Sequence, residues 1–386
     1  MRREPSELWW ENVTGPLQMV SAMEYALQDG KSVILRHPGF LPWQDMLRDL
    51  THGVTDTIVM DQPVKKDEII PKVLEQFPQK YAISCPPVYK NQVEFVKSQH
   101  IFQGSTIWIN VQDKASTDQI IRFVSDYRGD DYDKYGAFVL AVSAEMVIPT
   151  VSERVEVICY QDYVHSNSLR LFSSLLVEDM PSIPGNMREY AATVIASVCA
   201  PDPELIPALM EVLEVSCEMP DEVLRRMWED EHFQDLDRNL SNLRSHPFAL
   251  FQKGASEVFQ DRIWRAQLQT LFSEIEAERT DIVKAHYSDI QEALHTQYWD
   301  KKRKKFCNIT DPVNHCIIDD PYDAEIGVLA FMLTVYRDQE ETEKLWYLPE
   351  PETRERIGFL RMCRNSLAHI TPCSPDSVAR LLEKSG

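Results

Sequence analysis

Five short apolar runs interleaved with helical periodicity fill the first 180 residues, and nothing else in the chain restricts its fold so strongly. The runs are Ser32-Val33-Ile34-Leu35, Thr57-Ile58-Val59-Met60, Thr106-Ile107-Trp108-Ile109, Ala137 to Val142 and Val155 to Cys159. Continuous apolar stretches of this length read as strands buried on both faces. A parallel neighbour is reached only through a crossover, so strands that alternate with helices imply a mainly parallel sheet covered by helices on both sides.

Between these runs, Thr14-Gly15-Pro16 reads as a helix start capped by Thr14, leading into about 13 helical residues that stop at Gly30. His37-Pro38-Gly39 reads as a turn and Pro42 to Leu50 as a helix. Further helices are expected from Pro71 to Phe77, from Thr117 to Tyr127 and near Asn167 to Leu176. The segment Asp179 to Gly185, with two prolines and a glycine, marks a boundary beyond which strand signals fade. The run Val258 to Trp299 has no proline or glycine, and Ile263, Trp264, Leu268, Leu271, Phe272, Ile275 and Ile282 are spaced to build one buried helix face. Asp320-Pro321 opens a helix through Ile326, Leu329, Leu333 and Val335, and Pro351 opens another. A last short helix runs through Val378 and Leu382. The expected organisation is an α/β domain over 1–180, an acidic helical linker or subdomain over 181–255 and a helical bundle over 256–386.

At 386 residues the chain is longer than one core usually supports, and an apolar share of 44% is ample for two. No stretch approaches the roughly 18 apolar residues that cross a bilayer, and Met1 to Asn12 lacks a signal-peptide pattern, so a cytoplasmic protein without a membrane partner is expected. The eight cysteines are scattered and read as reduced thiols. Cys307, His315 and Cys316 form one loose group without a fourth ligand, and neither a metal nor a cofactor is expected. With 40 basic against 61 acidic residues the net charge of −21 disfavours broad DNA binding. The basic run Lys301-Lys302-Arg303-Lys304-Lys305 after Trp299 can touch phosphates but reads first as a solvated helix end. Residues 201–240 hold 12 acidic and 3 basic side chains, a helical surface suited to a basic protein partner.

About 30 residues into an α/β domain, a strand, turn and helix mark the place of a phosphate-binding loop, and here they read Leu35-Arg36-His37-Pro38-Gly39-Phe40-Leu41-Pro42-Trp43-Gln44. The Gly-Lys-Ser/Thr run that would supply amides to wrap a phosphate, a lysine for its charge and a hydroxyl for magnesium is missing, and Pro42 removes an amide. Asp113 follows the apolar run ending Ile109-Asn110-Val111-Gln112, as a magnesium-binding aspartate follows its strand. Residues 10 to 180 resemble the nucleotide-binding core of AAA+ and STAND-type ATPases with the first motif eroded. The resemblance implies a P-loop-like fold in which ATP hydrolysis is not expected.

The helix from Glu352 ends in Arg364-Asn365-Ser366-Leu367-Ala368-His369. Asn365 and His369 are four apart and share a helix face, and Arg364 can swing toward it. A histidine there can move the proton of a ribose 2′-hydroxyl while the arginine holds the phosphate. The pattern resembles the Arg-Asn-x-x-x-His signature of HEPN domains, helical bundles that often act as metal-independent ribonucleases and are frequent in bacterial toxin and phage-defence systems. The resemblance implies Arg364, Asn365 and His369 as catalytic residues, RNA as substrate and a homodimer or pseudo-dimer. A purely structural role for the same residues is the alternative: Arg364 paired with a carboxylate, and His369 bound to the carbonyls of its own helix end. Glu274 and Glu278 are four apart and can form a carboxylate pair on one helix face, but read first as solvated or ion-paired acids, with Trp264 in the core. Two functions remain: a non-catalytic sensor, scaffold or adaptor in a prokaryotic defence or toxin-type complex, and a HEPN-type ribonuclease restrained by the amino-terminal domain.

Overall fold

The structure is a computed structural model that describes residues 3–53, 57–75, 92–127, 135–215, 217–230, 244–311, 315–338, 340 and 342–383. The chain forms two compact units: residues 1–180, 195–212 and 224–255 make one, and residues 181–194, 213–223 and 256–386 make the other. The segment 181–255 is thus shared between them. Among the described residues no helix is long and apolar enough to cross a membrane.

The first unit is built on a five-stranded sheet of β1 (Ser32–His37), β2 (Ile58–Met60), β3 (Thr106–Val111), β4 (Ala137–Ser143) and β5 (Val155–Cys159). Every pairing is parallel and the spatial order is β2-β3-β4-β1-β5. The parallel sheet expected from the sequence is present with all five runs in place. One face carries Ile34, Ile107, Ile109, Phe138, Leu140 and Val142, which join one core cluster with Ile69, Ile70 and Val73 of the helix Lys66–Glu75 and Ile120, Phe123 and Val124 of the helix Lys114–Asp126. On the other face the fully buried Trp108 donates its indole N–H to the buried Thr51 hydroxyl at 3.1 Å. That hydroxyl donates in turn to the Leu47 carbonyl at 3.0 Å, at the end of the helix Gln44–Leu50.

Several boundaries differ from the sequence reading. The helix Thr14–Gln28 has Val13 as its N-cap and no side-chain cap, because the turn Leu8–Asn12 leads directly into it. Gly15 is needed there for a different reason: a Cβ would sit 2.2 Å from the Tyr163 carbonyl oxygen. The helix expected from Pro42 begins at Gln44, since Trp43 adopts a left-handed conformation with φ 43°. Pro71 lies inside the helix Lys66–Glu75 rather than opening it, and burial of Ile69, Ile70 and Val73 outweighs the one helix bond a proline removes. The expected end at Phe77 lies outside the described residues.

The second unit is dominated by the long helix Ser256–Ala285 and the helix Pro351–Ala368. Arg356 meets Glu278 near one end of the pair, and Trp264 donates its indole N–H to the Leu367 carbonyl at 2.7 Å near the other, so the two run antiparallel. Only part of the anticipated stripe on the long helix is core. Ile263, Leu271 and Ile275 are fully buried, whereas Leu268 and Phe272 are 38% and 40% exposed and Trp264 is half-buried. The helical reading fails in two places. The long run stops at Ala285 and, after the helix Tyr287–His295, becomes the hairpin of β6 (Tyr298–Asp300) and β7 (Lys305–Cys307). The basic run is therefore the turn of a hairpin and not a helix end. Likewise, the helix Ile326–Phe331 is followed by a second hairpin, β8 (Val335–Arg337) and β9 (Glu343–Leu345), instead of continuing to Val335. Both hairpins are held by aromatic pairs: Tyr298 and Trp346 lie 5.2 Å apart, and Tyr336 and Trp346 lie 4.4 Å apart. Cross-strand and tertiary ring contacts override the local helical pattern there.

Replacing Thr51 with valine keeps the shape and strands the Trp108 N–H without an acceptor, so denaturant unfolding of Thr51→Val is expected to show a loss of about 2 kcal/mol.

Candidate functional site

Two places carry the chemistry anticipated from the sequence. The first is the corner between β1 and the helix Gln44–Leu50. Pro38 and Pro42 bring no amide. The Gly39 N–H, at a φ of 128°, donates to His37 Nδ1 at 3.1 Å. The Trp43 N–H donates to a carboxylate oxygen of Glu204, whose own N–H is held by Asp202 Oδ1 at 3.0 Å. Phe40 and Leu41 are buried. The Trp43 ring packs against Phe172 at 5.7 Å and Trp9 at 6.5 Å. Beneath the turn the fully buried His246 accepts from the Phe248 N–H through Nδ1 at 3.2 Å, which places its proton on Nε2, 3.1 Å from Asp202 Oδ2. Its ring meets Phe40 edge to face at 5.8 Å.

A phosphate cradle needs outward-facing amides around an empty concavity. Here aromatic and aliphatic side chains pack into the turn, and the amide that opens the helix faces a carboxylate. A carboxylate at that position satisfies the helix start as a phosphate would, and its charge opposes any second anion. Asp113, which the sequence compares with a magnesium-binding aspartate, serves instead as the cap of the helix Lys114–Asp126, accepting from the Ser116 N–H at 2.6 Å. Burial pushes the His37 imidazole down from its ordinary value to about 4, in accord with a neutral ring that accepts from Gly39.

The second place is the end of the helix Pro351–Ala368. Arg364 is paired with Glu325 at 3.2 Å, Asn365 is half-buried and His369 caps the helix in the open. Among the described residues no hydrogen bond or ion pair joins Arg364, Asn365 and His369 side chains to one another. The helix end is closed by Ile370, whose left-handed φ of 58° brings the Thr371 N–H to the Ser366 carbonyl at 2.9 Å. Gln267 clamps the following turn, accepting from the Cys373 N–H at 2.6 Å and donating to its carbonyl at 3.0 Å. The His369 backbone is therefore held from two sides while its ring faces solvent.

Sequence reasoning missed Arg356 as the partner in a buried ion pair of this unit. Arg356, 5% exposed, grips both oxygens of Glu278 at 2.5 and 2.6 Å and also donates to the carbonyls of Arg380 and Leu381. Its signal was available: Arg356 sits beside Ile357 and in phase with Leu360, on the helix face that the apolar residues bury. Glu278 is therefore an ion-paired acid and not half of a carboxylate pair with Glu274. Among the described residues, no three His, Cys, Asp or Glu side chains gather as a metal site would require. No family model and no curated protein matches the chain.

His37 is protonated more readily when unfolded than folded, so its buried neutral ring contributes fully above pH 6.5 and the contribution is lost as pH falls toward 4. The stability advantage of the wild type over His37→Asn, measured by denaturant titration, is expected to shrink over that window by about 3 kcal/mol. At Ile370 a β-branched residue occupies a conformation that costs about 1–2 kcal/mol, with 62% of its surface exposed. Ile370→Gly is expected to raise the thermal midpoint by about 2–4 °C.

Proposed function

We propose that this protein is a non-catalytic sensor, scaffold or adaptor of a prokaryotic defence or toxin-type complex, with a P-loop-like unit whose nucleotide turn has become a packed corner. The observation that carries the reading is the Trp43 amide bound to the Glu204 carboxylate within a turn filled by Phe40, Leu41 and the Trp9–Trp43–Phe172 cluster. The strand order β5-β1-β4-β3-β2 differs from both common dinucleotide-fold orders, which disfavours an ordinary dinucleotide-binding domain. The acidic composition of 201–240 favours a basic partner, although Asp202 and Asp221 are buried, Glu204 is bound to the Trp43 amide and residues 231–240 lie outside the described residues. The defence setting comes from the two family resemblances.

The ribonuclease reading has one observation in its favour. His369 is exposed at a rigidly held helix end, and the Arg364 side chain is 34% exposed despite its partner Glu325, so both can reach a phosphodiester. Two assays on the full chain separate the readings. Calorimetric titration with magnesium ATP is expected to show no saturable binding up to about 1 mM, and an end-labelled RNA pool incubated with chelator is expected to remain intact. Cleavage that disappears in a folded His369→Ala variant would replace the scaffold with the ribonuclease. Tight nucleotide binding would overturn the closed-corner reading itself.

A further inference from the structure

The β6–β7 hairpin concentrates positive charge that neither proposed role uses. Lys301, Lys302, Arg303, Lys304 and Lys305 are consecutive and all exposed, on a chain of net charge −21. The turn that presents them is built. The Asp300 carboxylate accepts from the Lys302 N–H at 2.8 Å and the Arg303 N–H at 3.0 Å, and its carbonyl accepts from the Lys304 N–H at 2.8 Å. Lys304 completes the turn with a φ of 51°. Arg303 is drawn back toward Asp300 at 3.6 Å, but among the described residues no carboxylate pairs with Lys301, Lys302, Lys304 or Lys305.

Strand alternation sorts the aromatic side chains of this hairpin. Tyr298 and its partner Cys307 face one way, and Tyr298 is anchored against Phe331 at 5.5 Å and Trp346 at 5.2 Å. Trp299 and its partner Phe306 face the other way with rings 5.2 Å apart, and Trp299 is 37% exposed. The tip thus combines four unpaired ammonium groups with an exposed indole two residues before the first of them.

We propose that this hairpin binds single-stranded nucleic acid, its lysines neutralising successive phosphates and Trp299 stacking on a base. An acidic polypeptide would satisfy the lysines but gives no role to an exposed indole, whereas an unpaired base offers a flat face to it. A duplex keeps its bases stacked within and would likewise leave Trp299 unused. Binding at this tip requires no cleavage and is independent of both readings above.

The test is fluorescence anisotropy of an end-labelled oligouridylate of about 12 nucleotides with the full chain carrying His369→Ala and with chelator present, so that hydrolysis cannot interfere. Four lysine contacts predict an affinity that falls with salt at a log–log slope of about −3. Replacing Lys301, Lys302, Lys304 and Lys305 together by glutamine is expected to weaken binding at least about tenfold and flatten that slope, and replacement by arginine to retain it. Trp299→Ala is expected to weaken binding about tenfold with the slope unchanged. Circular dichroism confirms the fold of each variant, and the arginine set together with Trp299→Ala decides the question if the glutamine set unfolds. The proposal is overturned if the wild-type hairpin binds no oligonucleotide, if the glutamine set binds as well as the wild type, or if Trp299→Ala changes nothing. The last result, with polyglutamate competing as well as the oligonucleotide, would assign the tip to an acidic polypeptide.

Discussion

Every residue of β4 is buried, and that burial governs the first unit. A strand with no exposed face must lie inside a sheet covered on both sides, and its parallel partners β1 and β3 can be reached only through crossovers. All five strands then end at the same edge of the sheet, where each connection must turn back across a face. The His37–Trp43 corner is one of these turns. Ligands of open α/β sheets sit at this edge, so what fills the corner decides what the unit can bind.

In this chain the filling is the protein itself. Phe40, Leu41 and the Trp9–Trp43–Phe172 cluster each gain from burial on the order of 2 kcal/mol per large side chain, and a ligand cavity would forfeit it. Polar atoms follow the same economy. The Gly39 amide is satisfied by His37, the Trp43 amide by Glu204, and Glu204 and His246 are both positioned by Asp202. One buried carboxylate thereby orders the histidine beneath the turn and the acid at the helix start. The corner is a hydrogen-bonded plug, and its amides are satisfied from within the unit.

The second unit solves a different problem, fixing the ends of two antiparallel helices. The Arg356–Glu278 pair at one end and the Trp264–Leu367 and Gln267–Cys373 contacts at the other set the register between them. Removing either member of a buried pair leaves an uncompensated charge, so Arg356 and Glu278 specify the alignment more than they strengthen it. That alignment holds the backbone of the Arg-Asn-x-x-x-His segment while leaving the His369 ring in solvent. It also leaves Leu268 and Phe272 outside the core, although their spacing is that of core residues.

The five strands were legible because an apolar run four to six residues long has few other places to go, and the parallel sheet followed from their alternation with helices. The lack of a Gly-Lys-Ser/Thr run in the turn after the first strand was equally plain, since it is a matter of residue identity. Tertiary structure decided what lies beyond local pattern. Lys301 to Lys305 reads as helix by charge and spacing, yet a Trp299–Phe306 cross-strand pair and the Tyr298–Trp346 contact turn it into a hairpin. Glu204 finds Trp43 across 161 residues and Arg356 finds Glu278 across 78, separations at which sequence spacing carries no information about distance. Composition and periodicity determine which segments must be buried, because burial is a property of each segment's own surface. Which buried groups meet is settled only when the whole chain packs, because a hydrogen bond or ion pair needs two partners brought together by everything between them.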